Sequence, residues 1–385
     1  MSTVDTQLVR RNAALPDMVA LLRDQHAAKL DVVVSATGLR SAGEVWEIAG
    51  TGPAILGPDG VTSTAGRFVP TGTCDAGIAD KLAIPVAYLR RLREEHLGLC
   101  DANLNGWLEQ QPARQLLLRT LRPQGVDSEG FARAVLSERY GFVDNLDVLL
   151  AVLDGIRAAG ADVQVGRCDL TERRMYMQIA SNSVVARAST LLADYVSPFT
   201  GARGADNPLV FAGFVLSNSE TGHGSFSITP RLIAQVCSNG YTINRDAMRE
   251  VHLGGRLAEG VVQWSAGTQQ AAIDLITRQA ADAAATFLAG VYLTRSLARI
   301  EAQAGALVQD VRATVEYLGA PLRFPEDQQT TILDHFLGGG QRTAGGILQT
   351  VTSAAQVQSD ADADAAYEME RVGLRAMTLA AAHQN

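Results

Sequence analysis

Eight residues between positions 90 and 140 are of the types that single-stranded nucleic acid requires: Arg90, Arg91, Arg93, Arg114, Arg119, Arg133, Arg139 and Tyr140. Guanidinium groups meet phosphates and aromatic rings stack on bases; Arg122, Tyr88 and Trp107 interleave with the same set. Glu94, Glu95, Asp101, Glu109, Glu129 and Glu138 lie among them, so the alternative is a solvated surface whose charges pair with one another. A second candidate is the turn Glu220-Thr-Gly-His-Gly, where His223 sits between two glycines. Glu220 and His223, with Asn239 further on, form a candidate ligand loop. Adding Cys237 and His252 gives zinc-type ligands on paper, but no spacing supports them, and no metal or other cofactor is expected. The competing reading is a hairpin tip beside a buried thiol.

Other chemistry is weaker. Ser137 and the run Ser217 to Ser219 lack a GxSxG elbow, which disfavours a serine hydrolase. Asp144, Asp147, Asp162 and Asp169 suit helix starts and turns better than a magnesium site. Neither a GxxxxGK[ST] loop nor a GxGxxG after a strand occurs, so nucleotide hydrolysis is disfavoured.

Composition narrows the classes. The chain has 385 residues, 47% of them hydrophobic, enough for a sizeable core. A net charge of −8 argues against a uniformly basic coat for nucleic acid and leaves room only for a local basic groove. Of 33 basic residues only Lys29 and Lys81 are lysines, which a G+C-rich coding sequence explains. Cys74, Cys100, Cys168 and Cys237 stand far apart, against disulfides and a structural zinc. No apolar run approaches the ~18 residues of a membrane span, and the expected location is the cytoplasm.

The elements that must position these residues follow from apolar periodicity. An amphipathic helix carries Leu15, Met18, Leu21 and Leu22; strands follow at 31–36 and 44–49. Helices are expected at 75–83, after Pro85 and around Trp107, then strands at 114–122 and 131–137 and a helix at 145–159. Strands at 162–170 and 173–180 lead to a hairpin, 211–216 with 225–228. Thr229-Pro230 reads as a helix start, with Leu232, Ile233, Val236 and Cys237 as its apolar side and Ser238-Asn-Gly as its stop. Residues 269–319 read as two helices, 334–346 as a glycine-rich loop, like 201–206, and 365–383 as a last helix with an acidic start. The fold class is mixed α+β: a small N-terminal β-containing part (1–74), a central β-rich domain with packed helices (75–255) and a helical C-terminal part (256–385).

Five stretches in order carry a resemblance. They are Ile84-Pro-Val-Ala-Tyr-Leu-Arg-Arg-Leu; Asn103-Leu-Asn with Trp107; Leu117-Leu-Arg-Thr with Arg133 to Tyr140 and Asp144-Asn145; Asn218-Ser-Glu-Thr-Gly; and Arg231 to Gly240. Together they resemble the phage- and plasmid-encoded proteins of the domain-of-unknown-function family DUF932, over roughly residues 75–260. The resemblance implies a mobile-element protein in a bacterial cell or phage-infected host and carries no catalytic residues. The function expected is an accessory protein of DNA metabolism that binds single-stranded nucleic acid and promotes annealing. The order of three strands then a helix from Arg173 to Gly240 is similar to Rad52-type annealing proteins in element order only, and implies a homo-oligomer. The alternative is a non-enzymatic interaction protein that blocks or redirects a host protein.

Overall fold

The computed structural model describes residues 8–52, 56–57, 60–61, 65–123, 129–250, 260–261 and 265–383. Two seven-stranded sheets carry the described part of the chain. One, sheet B, is built from β2 (Lys29–Ser35), β3 (Leu39–Ala42), β4 (Val45–Ile48), β7 (Gly66–Pro70), β8 (Gln115–Leu121), β9 (Gly130–Ser137) and β16 (Gly260–Val261). Their order is β16-β2-β8-β9-β7-β4-β3, and a two-stranded ribbon, β5 (Leu56–Gly57) with β6 (Gly60–Val61), stands apart. Sheet A places β1 (Arg10–Ala13) beside β10 (Val163–Leu170), then β11 (Met175–Arg187), β12 (Leu209–Asn218) and β13 (Phe226–Ala234). The outer edge of β13 is shared by β14 (Gly240–Thr242) and β15 (Met248–Glu250).

Strand alternation explains sheet B. Val32, Val34, Leu116 and Leu118 bury one face under α2 (Gly72–Leu82), α3 (Val86–Glu95) and α4 (Leu97–Glu109). Val33 and Leu117 turn to the opposite face, and so do Asp31 and Arg119, which the β2–β8 register sets directly opposite each other. A bulge in β9 falls at Arg133, between the pairs Arg119↔Ala134 and Thr120↔Ala132. The extra residue re-aims the Arg133 side chain onto the Arg119 face.

Sheet A buries Met175, Met177, Ile179, Phe214, Leu216 and Ile228 against α5 (Asn145–Ala158) and the C-terminal helices. These are α6 (Ala266–Phe287), α7 (Gly290–Ala304), α8 (Val311–Leu322), α9 (Glu326–Gly339), α10 (Ala344–Ala361) and α11 (Ala363–Ala382). α1 (Leu15–Ala28) packs Met18, Leu21 and Leu22 on the same core, as its spacing predicts. The chain is thus mixed α+β with its helices gathered toward the C-terminus. Among the described residues no helix is long and apolar enough to cross a membrane.

Five expectations change. The helix after Thr229-Pro230 is a strand: Phe214 pairs with Pro230 and Ala212 with Leu232. Pro230 is tolerated there because its side of β13 faces the gap between β14 and β15, where only its carbonyl is used, accepting from Ile243 N. Residues 266–322 form three helices, because Asp310 caps a new start by accepting from Ala313 N. The loop expected over 334–346 shrinks to 340–343, since α9 runs through Gly339 and Thr343 caps α10. The boundary expected at residue 74 falls inside sheet B, where β7 pairs in parallel with β9 through Phe68↔Gly130. Nor do the C-terminal helices form a separate body, because Ile276, Phe287 and Leu348 share one core with Phe214 and Met177.

Candidate functional site

The arginines singled out by sequence divide sharply in space. Arg119 is 0% exposed and lies where the two sheets meet. Its Nε and Nη2 donate to the two Asp31 oxygens at 3.0 and 3.2 Å, Nη2 also to Asp144 Oδ1 at 2.6 Å, and Nη1 to the Glu220 carbonyl at 3.2 Å. Arg133 Nη1 donates to Glu220 Oε2 at 2.7 Å, Glu220 Oε1 accepts from Asn145 N at the start of α5, and Lys29 Nζ donates to Asp144 Oδ2. The Phe142 ring covers the Arg119 guanidinium, with its centroid 3.7 Å from Cζ. Three carboxylates and three cations balance. This hub fastens β2, β8 and β9 of sheet B to the β12–β13 turn of sheet A.

Arg119 and Arg133 are therefore unavailable to a strand's phosphates. Arg93 is held likewise by a two-pronged bond to the buried Asp75, at 2.9 and 2.8 Å, and Arg114 caps the Lys81 carbonyl and bonds Gln111. Tyr140 is half-buried, and burial pushes its phenol up. Arg90, Arg91 and Arg139 are exposed, Arg91 pairing with Glu95 at 3.0 Å and Arg139 with Glu138 at 3.6 Å. The eight residues do not line one groove.

The candidate ligand loop also separates. Glu220 and His223 lie at one end of β13, and Asn239, fully buried among Tyr195, Gln349 and Gln356, at the other. His223 is tied down, its N donating to Ser219 Oγ at 2.9 Å and its carbonyl accepting from Arg174. Burial, then Arg173, holds its imidazole below the ordinary value. His252 lies outside the described residues, and among these no three His, Cys, Asp or Glu could hold a metal ion. All four cysteines are buried, and burial pushes the Cys168 and Cys237 thiols up to about 11, away from nucleophilic use.

The hub makes stability depend on acid. Burial acts to raise the Asp144 carboxyl, but the neighbouring Arg119 and Lys29 outweigh it and hold the group well below the usual carboxylate range. A folded pKa below the unfolded value of ~3.9 means that the stabilisation is complete above that pH and is lost as pH falls through the folded value. Urea midpoints measured from pH 6 to pH 2 should fall, and Asp144→Asn should flatten the fall; an unchanged slope in the variant would count against the hub.

A basic site that sequence reading missed lies elsewhere. A cleft of about 240 Å³ opens between α7, α11 and the single helical turn Asn244–Asp246 that follows β14. Arg245, Arg299 and Arg371 line it with Asn244, Gln303 and Thr378, and no carboxylate is in its lining among the described residues. Its partners fix its shape: Arg371 Nε donates to Asn244 Oδ1 at 3.3 Å, and Nη1 reaches Glu368 outside the cleft at 2.9 and 2.8 Å. Asp246 holds Arg245 at 3.4 Å and accepts from Tyr292 at 2.8 Å. On the floor the Thr242 hydroxyl, 1% exposed, has no partner among the described residues. The only sequence signals were Arg295 with Arg299 and Arg371 with Arg375, each four apart on a helix, and nothing local says that those two helices pack together.

No protein-family model, curated protein or solved structure matches the chain.

Proposed function

We propose that the protein binds single-stranded nucleic acid in phage- or plasmid-type DNA metabolism, and that the phosphates lie in the cleft between α7, α11 and the turn after β14. The observation that supports this is the convergence of Arg245, Arg299 and Arg371 on one cleft without a lining carboxylate. In a chain of net charge −8 that is a local, not a global, attraction for polyanions. The guanidinium of Arg371 also stands 5.8 Å from the ring of Tyr367, a buried residue whose exposed edge lines the adjoining cleft, so charge and an aromatic ring adjoin, as single-strand binding needs.

The test is anisotropy of a labelled single-stranded oligonucleotide across several salt concentrations, with a duplex of the same sequence as control. Each phosphate contact contributes a slope of about −0.7 in log K against log salt for a single strand. Replacing Arg245, Arg299 and Arg371 together by glutamine should weaken binding and flatten the slope by about 2. Absence of binding at low salt, or a variant that behaves like the parent, would sink the proposal.

A protein partner is the competing reading. Tyr88, Leu99 and Trp107 are 44%, 53% and 48% exposed on α3 and α4, large apolar side chains of the kind that interfaces use. A stable host-protein complex lost on Trp107→Ala, with no oligonucleotide binding, would favour it.

A further inference from the structure

The face of α11 that borders the arginine cleft continues toward the helix N-terminus over a second cleft of similar volume, about 240 Å³. Leu374, Met377 and Thr378 line the first; Ala363, Ala366, Tyr367 and Glu370 line the second. With Arg371, which also lines the first, these positions recur at three- and four-residue steps, so both clefts lie along one stripe of one helix, their centres roughly 13 Å apart at 1.5 Å of rise per residue. The floor of the second is the outer face of sheet A, with Gln178 on β11 and Arg231 on β13.

That floor is built to a definite shape. Arg231, almost fully buried, donates Nη1 to Gln178 Oε1 at 2.7 Å and Nη2 to Glu370 Oε1. Its guanidinium lies flat over Gly240, where an added Cβ would fall 1.8 Å from Nε, so only glycine leaves room for it. Because a guanidinium only donates, Gln178 must present its oxygen to Arg231 and keep its NH2 group for something else. Gln178 Nε2 and Glu370 Oε2 have no partner among the described residues, and neither atom is sealed from solvent. A donor and an acceptor thus flank one fixed cation. Beside them Tyr367 packs on Tyr176, ring centroids 4.5 Å apart, and the Tyr176 hydroxyl donates to Asp364 at 2.7 Å, which holds the aromatic wall in place.

The geometry points to a nucleobase pocket. A volume below the ~300 Å³ of an ordinary ligand site suits one planar ring system. Every base offers an adjacent donor and acceptor on its Watson–Crick edge, matching the Glu370 carboxylate and the Gln178 amide, and a π face for Tyr367. The arginine cleft then holds the backbone of the same strand, a few nucleotides away along α11. This inference rests on the single-strand reading given above.

The experiment compares two labelled oligonucleotides of equal length and charge, one with bases and one fully abasic, on the intact protein. Base stacking predicts at least about fivefold tighter binding of the base-bearing strand. In Gln178→Leu, whose folding is checked by its melting temperature, that preference should shrink while the abasic affinity stays unchanged. Equal binding of the two strands by the parent protein overturns the base pocket and leaves the phosphate cleft standing. Binding of neither overturns both. A preference that persists in full in Gln178→Leu overturns the assignment of the base to this cleft, and displacement of the strand by micromolar mononucleotide overturns the strand as its source.

Discussion

Arg119→Ala is expected to destabilise the protein by about 3–5 kcal/mol, the loss typical when one partner of a buried ion pair is removed and the other charges remain. Asp31 and Asp144 are both buried and both lean on this one guanidinium, at 3.0 and 2.6 Å, and the Glu220 carbonyl takes a third of its donors. Since a domain's whole stability is about 5–15 kcal/mol, the loss should show as a large drop in the urea midpoint. Desolvation of the buried charges offsets much of the hub's Coulombic attraction. The triple replacement Arg119→Met, Asp31→Asn, Asp144→Asn should therefore recover part of what Arg119→Ala loses. A midpoint within experimental error of the parent after Arg119→Ala would show that the hub does not fasten the sheets.

The second large effect has a sign that sequence propensity gets wrong. Gly155 and Gly106 both sit inside helices, where alanine is favoured over glycine by up to about 1 kcal/mol. At Gly106 nothing lies within 4 Å of an added Cβ, so Gly106→Ala should stabilise by about that amount. At Gly155 the added carbon would fall 2.3 Å from the Thr277 carbonyl oxygen and 2.7 Å from Ala280 Cβ, where α5 crosses α6. Two helix backbones must separate to admit it. Gly155→Ala should cost about 2–3 kcal/mol net, at the upper end of what overpacking does. Equilibrium unfolding of the two variants side by side decides the matter; the same sign for both would refute the close crossing.

Much of the fold was legible because its signals are local. The α1 spacing, the alternation through Met175, Met177 and Ile179, and the apolar positions of α5 each declare one buried face within a dozen residues. The failures came from partners far away in sequence. Thr229-Pro230 carries a genuine helix-start signal, and it is overridden because β14 and β15 share the outer edge of β13 and leave a gap at Pro230. Arg119 and Arg91 are the same residue type a short distance apart. What separates them is that Asp31 lies 88 positions before Arg119 and the Glu220 carbonyl 101 after it, whereas Glu95 is one helical turn from Arg91. The arginine cleft stayed hidden for the same reason, since Arg245, Arg299 and Arg371 come from three elements that meet only in the folded chain.

The hub has a consequence for engineering. The chain leaves α1 for sheet B at Lys29 and comes back to α5 at Asp144, and those two residues are bonded to each other. That bond sets the way in and the way out side by side, and Arg122 N, just past β8, donates to the Ala28 carbonyl beside it at 2.7 Å. That is the topology of a guest inserted into a host: sheet A with α1, α5 and the later helices is the host, and residues 29–137 are the guest, with β16 reaching back as a latch on its edge strand β2. A guest whose ends touch can be exchanged without stretching its host. The buried charges then lie along the seam between the two, and a graft of a different guest would have to match Asp144 and Glu220 before it matched anything else.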